Sequence, residues 1–275
     1  MSDRDPKSIF LSIVFPAYNK ETRIAASIDA TVAYLAGKAF AAEVIVVDDG
    51  SRDRTAEAAR AALAGKPFVS EVIVDDDGSR DRTAEAAGAA LAGRVLSRVI
   101  RREKNRGKGA SVREGVLAAS GEVILFSDDD LSTPIGEFDK LLAALQAGAD
   151  VAIGSRALPE SVIRVRQRRP RELMGKTFNL LVRLFVLKGY RDTQCGFKAF
   201  RRAAAMDLFS RLRTTGFGFD VEVLALCREL GYRVAEVPVV WSDSRPSRVR
   251  LIRGSLGMLG EIWRIRRLIR RSRNG

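Results

Sequence analysis

A strand, an acidic turn and a helix occur twice in succession in this sequence. Residues 43–65 read EVIVVDDGSRDRTAEAARAALAG, and residues 71–93 read EVIVDDDGSRDRTAEAAGAALAG, so 21 of 23 positions agree at an offset of 28. Each copy is an apolar run that leads into carboxylates and then into an alanine-rich helical segment. Such a unit is typical of a parallel sheet covered by helices, so the repeat predicts an α/β fold with a duplicated strand-helix unit.

The rest of the first half has the same design. Residues 9–19 and 122–130 are apolar runs that end in polar residues, and the glycine-rich turn NRGKGAS opens another helical segment. Strands that are apolar throughout indicate a mostly parallel sheet with helices on both faces. Ligands of such sheets bind beyond the carboxyl ends of the strands. We therefore expect the strand ends at residues 16–19, 48–49 and 128–130 to converge on one cleft.

The second half is less regular. Strands are predicted at ADVAIGSRA and YRVAEVPVVW, and a helix is predicted over residues 220–230. An amphipathic helix is predicted over residues 172–188, with Leu173, Thr177, Leu181 and Leu184 along one stripe. We expect one domain over residues 1–250, followed by a basic amphipathic helix over residues 251–275.

The charge of the chain is strongly positive. Its net charge is +13, and arginines concentrate in residues 162–172 and 245–273. Such patches suit nucleic acid, an anionic membrane surface or a phosphorylated substrate. A non-enzymatic nucleic-acid binder would leave the carboxylate-ended strands unexplained, so no nucleic-acid partner is expected.

The first ten residues do not have the pattern of a secretory signal, and no apolar run approaches the roughly 18 residues of a spanning helix. Both observations favour a cytoplasmic location.

The acidic triplet after the strand EVILFS is a candidate metal site. The chain has no histidine, and its two cysteines, Cys195 and Cys227, do not have metal-ligand spacing, so any metal must be held by oxygen. Two carboxylates spaced Asp-x-Asp, here Asp128 and Asp130, can hold one Mg²⁺ or Mn²⁺ and leave its other positions for substrate phosphates. Acidic turns are often only solvated loops or helix caps, but the position after a buried strand favours the metal site.

The order of the motifs FPAYN, VVDDGSRD, NRGKG, SDDDLSTP, GSR, DTQCGFK and EVPVVW resembles family 2 glycosyltransferases of the GT-A fold, which is Rossmann-like. Within that family the chain is similar to the polyprenyl-phosphate (dolichyl-phosphate) glucosyl- and mannosyltransferases, from residue 9 to about residue 250. The resemblance implies inverting, metal-dependent transfer of a hexose from UDP-glucose or GDP-mannose to a polyprenyl phosphate. DLSTP leans toward the glucosyl branch and so toward UDP-glucose. A glycosyltransferase with a soluble or glycan acceptor is the alternative.

The resemblance also assigns roles to single residues. Asp128 and Asp130 match the metal motif and, with Arg156, are the expected catalytic residues. The chain departs from the family at Lys20, usually glutamate, and at Asp129, usually alanine. Lys20 either contacts phosphate or faces solvent, and Asp129 brings additional negative charge. The expected nucleotide-sugar pocket consists of Pro16, Tyr18, Val47, Asp49, Asp128 and Asp129. The expected phosphate and acceptor contacts are Arg156, Arg169, Arg245 and Arg248.

The acceptor decides whether a general base is needed. A phosphate monoester carries roughly −1.5 to −2 charge at pH 7, so its oxygen can attack the sugar without a base. A hydroxyl acceptor would require a general base, and Asp192, Asp220 and Glu222 are the candidates.

The arginines of residues 164–171 and of the carboxyl-terminal helix are expected to dock the protein peripherally on the cytoplasmic face of an anionic membrane.

Only one copy of the repeat can occupy the second strand of the expected sheet. Copy two has Asp75 in place of Val47, and a carboxylate inside a buried strand is costly. It also has Gly88 in place of Arg60, which weakens a helix. We therefore predict that copy one binds the nucleotide through Asp49, that Asp77 is its duplicate, and that copy two is an insertion at the sheet edge or projecting from it.

Overall fold

A computed structural model describes residues 9–64, 69–76, 95–187 and 189–244. The chain divides into two compact units, one ending at Asp130 and the other beginning at Leu131. The carboxyl-terminal segment 251–275, which was predicted to be a basic helix, lies outside the described residues, as does the predicted helix of copy two.

The first unit is a parallel sheet with helical connections. Its strands pair in the order β3-β4-β2-β1-β5. Every described residue of β1, β2 and β5 is buried, which explains why their sequences are apolar on both faces. In chain order the elements are β1 (Leu11–Ala17), α1 (Ile24–Ala36), β2 (Ala42–Asp48), α2 (Thr55–Leu63), β3 (Val69–Asp76), β4 (Val95–Arg101), α3 (Lys108–Ala118) and β5 (Val123–Ser127).

The two copies of the repeat lie on opposite sides of β4. Copy one supplies β2, which pairs with β1 and β4, whereas copy two supplies β3, the outermost described strand of this unit. The registers are equivalent, because Asp48 of β2 and Asp76 of β3 both stand opposite Arg101 of β4. Copy one therefore occupies the position beside β1, and the strand of copy two lies at the sheet edge.

Gly50 brings two turns of the first unit close together. Its φ is +69°, in the left-handed region, and a Cβ at this position would lie 2.8 Å from the backbone carbon of Lys104. A side chain would therefore be strained in conformation and would clash with backbone. The glycine allows the turn after β2 to pack directly against the turn that precedes α3.

The second unit combines a mixed sheet with four helices in its described part. β6 pairs antiparallel with β8 and parallel with β9, while β7 and β10 form a separate parallel pair. The α/β, mostly parallel fold predicted from the sequence is confirmed. The elements are α4 (Phe138–Gln146), β6 (Val151–Ser155), β7 (Val162–Val165), α5 (Arg169–Phe185), β8 (Phe197–Arg201), α6 (Arg202–Arg211), α7 (Phe219–Glu229), β9 (Val234–Pro238) and β10 (Val240–Ser242).

The helix predicted over residues 172–188 corresponds to α5, and its predicted apolar stripe faces mainly outward. Leu173 and Leu184 are 67% and 60% exposed, and Leu180, which was not in the predicted stripe, is 52% exposed. The inward face carries Phe178 and Val182, both buried. The predicted stripe is thus mainly the exposed face of the helix.

No helix in the described residues is long and apolar enough to cross a membrane.

Candidate functional site

The turns after β1 and β2 are joined by hydrogen bonds in the first unit. The backbone N–H of Asn19 donates to Ser51 Oγ at 2.8 Å, and that of Arg52 donates to Asn19 Oδ1 at 2.8 Å. Asn19 has a φ of +53°, which is uncommon for a residue other than glycine. These strand ends meet at one edge of the sheet, as their sequence predicted.

Asp49 lies under the glycine-rich turn. Its Oδ1 accepts from Arg102 Nη1 at 3.0 Å and from the backbone N–H of Arg106 at 2.9 Å, and its Oδ2 accepts from the N–H of Gly107 at 2.8 Å. Asp49 is buried. Both oxygens therefore fix the turn that leads into α3, a function that the sequence did not indicate. The predicted contact of Asp49 with the nucleotide base stays a prediction.

Asp48 is a second buried carboxylate, which was expected at the cleft as part of the strand end 48–49 but was assigned no role. Its Oδ1 accepts from the N–H of Ser51 at 3.1 Å and from the Ser51 hydroxyl, whereas its Oδ2 is buried and has no hydrogen-bond partner among the described residues. Burial is the main reason that the pKa of Asp48 is raised. A buried acceptor without a donor is costly, so Oδ2 is a candidate point of contact for an N–H or O–H of a ligand.

Three predicted pocket residues lie near the ends of β1 and β2. Pro16 is the register partner of Val47, and both are buried. Tyr18, just beyond the end of β1, is 36% exposed. The structure therefore brings Pro16 and Val47 side by side, with an accessible aromatic ring after the strand.

The acidic triplet follows β5 directly. Asp128 Oδ1 lies 2.5 Å from Lys108 Nζ, and the Asp128 side chain is 34% exposed. Lys108 is the first residue of α3, and its Nζ lies 5.2 Å from the centre of the Phe126 ring. Sequence reasoning did not select Lys108. A cation beside this carboxylate could only be found once α3 and β5 were placed together.

The middle carboxylate of the triplet differs from its neighbours. Asp129 is buried, and its Oδ1 lies 2.8 Å from Lys20 Nζ. Burial raises the pKa of Asp129 to about 6, although the Lys20 charge opposes this shift. The two residues that depart from the family pattern therefore contact each other. Lys20 neutralises the additional negative charge that Asp129 was expected to bring.

The donor set of the triplet fits a hard divalent cation. Asp128 and Asp130 offer carboxylate oxygens, and both are partly exposed after a buried strand. In the described part of the chain, no group of three or more acidic, cysteine or histidine side chains could hold a metal by itself. A cation bound here would therefore take most of its ligands from substrate phosphates and water, as Mg²⁺ commonly does.

Arg156 lies in the second unit, directly after β6. Its Nε and Nη2 donate to the two carboxylate oxygens of Asp192 at 2.6 and 2.9 Å, and its guanidinium lies 5.5 Å from the centre of the Trp241 ring. Burial favours a higher pKa for Asp192, but the Arg156 charge and hydrogen bonds outweigh it and hold that pKa well below its usual range. The paired carboxylate and the ring fix the plane of the guanidinium.

The three candidate general bases are all engaged in contacts. Asp192 is bound bidentately by Arg156. Asp220 is buried and accepts from the buried Lys198 ammonium. Glu222 accepts from the backbone N–H groups of Arg213 and Thr214 at 3.0 and 2.7 Å. All three carboxylates therefore already accept hydrogen bonds within the second unit.

Residues 162–184 carry exposed apolar side chains and exposed arginines, which together we call the basic apolar surface. Its exposed apolar side chains include Leu173, Leu180 and Leu184 of α5, together with Val162 and Val165 of β7, which are 51% and 45% exposed. Its exposed arginines are Arg164, Arg166, Arg168 and Arg169. The predicted phosphate contacts Arg245 and Arg248 lie outside the described residues.

Several enzymes are similar in sequence to this chain over most of its length. A dolichyl-phosphate β-glucosyltransferase of Drosophila melanogaster is 36% identical over 250 residues, which is 87% of this chain and 69% of that protein. The Homo sapiens enzyme of the same name is 35% identical over the same shares. One from Trichomonas vaginalis is 33% identical over 256 residues, covering 90% of this chain and 68% of that protein.

Solved structures share the fold. Glucosyl-3-phosphoglycerate synthase from Mycobacterium tuberculosis in complex with Mn²⁺, UDP-glucose and phosphoglyceric acid matches with a TM-score of 0.62 at 20% identity, over 94% of this chain and 80% of that one. The same protein with Mg²⁺ and UDP matches with a TM-score of 0.60 at 20% identity, over 94% and 79%. These similarities confirm the predicted GT-A fold.

A family model matches the chain in two stretches. The model for glycosyl transferase family 2 matches residues 12–70 and 63–209, so each copy of the repeat falls in a separate match. Together the stretches cover more than half of the chain and include most of β1, all of β2, the acidic triplet and Arg156. The chain therefore belongs to glycosyl transferase family 2.

Proposed function

We propose that this protein transfers glucose from UDP-glucose to dolichyl phosphate or another polyprenyl phosphate and inverts the anomeric centre, so that the product is a β-linked lipid-phosphate glucose. The observation that carries the proposal is that relatives with the same name align with most of the chain. Proteins from Drosophila melanogaster, Homo sapiens and Trichomonas vaginalis, all named dolichyl-phosphate β-glucosyltransferases, align with 87–90% of it.

The chemistry of the second unit supports a phosphate acceptor. A phosphate oxygen is already ionised at pH 7, so it needs no general base, whereas a sugar or alcohol hydroxyl does. Asp192, Asp220 and Glu222, the candidate bases, are held by Arg156, by Lys198 and by two backbone N–H groups respectively. A hydroxyl acceptor would have to compete with these contacts for a carboxylate oxygen, which favours the lipid phosphate over the alternative of a hydroxyl acceptor.

The first unit would bind the donor. Asp128 and Asp130 would hold Mg²⁺ or Mn²⁺, which when bound acts as a Lewis acid and balances the charge of the departing diphosphate. Lys108, beside Asp128, adds a positive charge that can pair with the same diphosphate. Pro16, Tyr18, Val47 and Asp49 are proposed to line the nucleotide pocket, and Asp129 is proposed to support it from its buried position. Asp49 also orders the turn that places Lys108.

Arg156 is proposed to bind phosphate in the second unit. Its guanidinium is oriented by the bidentate contact with Asp192 and by the ring of Trp241, so little freedom is lost when it meets an anion. The fixed orientation favours recognition of a phosphate oxygen in one direction. Arg169, Arg245 and Arg248 are proposed to assist with the acceptor phosphate.

The basic apolar surface would hold the protein on an anionic membrane at its cytoplasmic face. Each arginine near an anionic leaflet contributes about 1 kcal/mol, and the exposed leucines of α5 can enter the boundary between headgroups and acyl chains. Leu173, Leu180 and Leu184 are more than half exposed in a helix whose other face is packed. Exposure of large apolar residues beside arginines is typical of interfacial helices.

The test is release of UDP from UDP-glucose with Mn²⁺ or Mg²⁺, with and without a short polyprenyl phosphate. The proposal requires release that depends on both lipid and metal, together with a glucosylated lipid product. GDP-mannose and a free polyprenol serve as matched controls for donor and acceptor. Release that is equally fast with a soluble hydroxyl acceptor and without the lipid phosphate would replace this proposal with the soluble-acceptor alternative.

A further inference from the structure

Asp129, between the two proposed metal ligands, is held at two points. Its carboxylate Oδ1 lies 2.8 Å from Lys20 Nζ, and its carbonyl oxygen accepts from the Ser27 hydroxyl at 2.7 Å. The side chains of Asp129 and Lys20 are 9% and 28% exposed. Because one contact holds the side chain and the other the backbone, Asp129 has little freedom to rotate.

Lys20 is itself fixed by the neighbouring loop. Its backbone N–H donates to Thr55 Oγ1 at 2.7 Å, and the N–H of the preceding Asn19 donates to Ser51 Oγ at 2.8 Å. The ammonium group therefore projects from a segment that is bound to the turn after β2. The turns after β1, β2 and β5 form one hydrogen-bonded unit, with Lys20 as the link to the acidic triplet.

We infer that Lys20 and Asp129 are a positioning pair for the divalent cation of this enzyme. Asp128 and Asp130 share the backbone of Asp129, so anchoring that residue limits the orientations of both flanking carboxylates before a cation binds. Groups that orient metal ligands typically change metal affinity by roughly 10–100-fold when removed. The inference rests on the proposed function, because it requires Asp128 and Asp130 to bind the cation.

A different role for Lys20, direct contact with the donor diphosphate, makes opposite predictions. Direct contact would make Lys20→Met weaken UDP binding without metal, and Asp129→Ala would leave that binding unchanged or stronger. The positioning pair requires Lys20→Met and Asp129→Ala to weaken Mn²⁺ binding by similar factors. It also requires the double variant to be no weaker than either single one, since both remove the same contact.

The experiment measures Mn²⁺ affinity by electron paramagnetic resonance of free Mn²⁺, on the full chain with saturating UDP, and UDP affinity without metal by calorimetry. Roughly 10–100-fold weaker Mn²⁺ binding is expected for Lys20→Met and Asp129→Ala, with unchanged metal-free UDP affinity. Lys20→Arg should restore Mn²⁺ binding, and turnover of the variants should recover at high Mn²⁺. The matched control is Lys38→Met, since Lys38 Nζ lies over the Tyr34 ring at 4.4 Å.

Lys20→Met leaves the buried Asp129 carboxylate unpaired and can therefore misfold. Asp129→Ala removes that carboxylate, so it tests the same contact without this cost. Wild-type Mn²⁺ affinity in both single variants would refute the positioning pair while leaving the proposed function intact. If the wild-type protein binds neither Mn²⁺ nor UDP, the proposed function fails and the inference fails with it.

Discussion

Two deletions of equal length can decide which copy of the repeat is competent. Deleting residues 66–93 removes copy two, and deleting residues 43–70 removes copy one. The resulting chains differ only where Val47 or Asp75, and Arg60 or Gly88, is retained. In both chains about three residues connect the retained helix to β4, within the usual range of helix-to-strand connections. Each variant is therefore the other's control.

The structure sets the expected difference in stability. Position 47 is fully buried in β2, with Pro16 of β1 and Ile100 of β4 as register partners. An aspartate there loses about 1.5 kcal/mol of apolar burial. It must also be protonated at pH 7, which costs about 4 kcal/mol relative to a carboxyl of pKa about 3.9. Glycine in place of Arg60 adds roughly 0.5–1 kcal/mol, so the copy-two chain should be less stable by about 6 kcal/mol.

The pH dependence identifies the cause of the difference. A carboxyl whose folded pKa is raised destabilises the protein above its unfolded pKa, and the penalty falls as the pH falls. The difference between the two chains should therefore shrink to between about 3 and 4 kcal/mol at pH 5. Urea unfolding followed by circular dichroism at both pH values measures it. Equal stability at pH 7, or a difference independent of pH, would refute the reasoning.

Three further outcomes are expected. Asp128→Asn should reduce metal-dependent UDP release at least 100-fold while leaving the melting temperature nearly unchanged, because this carboxylate is partly exposed. Replacing the three exposed leucines of α5 by serine should lower co-sedimentation with phosphatidylserine vesicles but keep turnover of a detergent-dispersed short lipid phosphate. Asp192→Asn should destabilise the protein at pH 7. It should also remove the loss of stability that the wild type shows as the pH falls below about 4, since the folded pKa of Asp192 is lowered.

The sequence predicted those parts of the fold that depend on local pattern. The strands β1, β2 and β5 are buried on both faces, so their apolar runs are visible without any knowledge of contacts, and the helices of this unit are visible from composition. The apolar stripe predicted for α5 included Leu181 and left out Leu180. Leu180 and Leu181 are adjacent in sequence, and only packing decides that Leu180 is the more exposed of the two.

Candidate site residues that lie within a short motif could be selected from the sequence, whereas contacts between residues far apart in the sequence could not. The acidic triplet and Arg156 were identified from short motifs. The Lys20–Asp129 contact joins residues 109 positions apart, and the Lys108–Asp128 contact joins a helix start to a strand end. Asp49 was predicted to contact the nucleotide, and its observed contacts are with Arg102 and with the turn that precedes α3. Such pairings depend on the order of strands in the sheet, which residue spacing does not encode.

The position of the repeat explains how the first unit can contain both copies. β4 has two edges, and parallel pairing offers the same pattern of donors and acceptors to a neighbour on either side. The strand of copy one uses the edge that faces β1, and the strand of copy two uses the other in an equivalent register. The second strand is therefore added outside β4 and does not come between β1 and β2. The turns that carry Asn19, Lys20 and Asp49 keep their contacts, and the acidic triplet keeps its anchor.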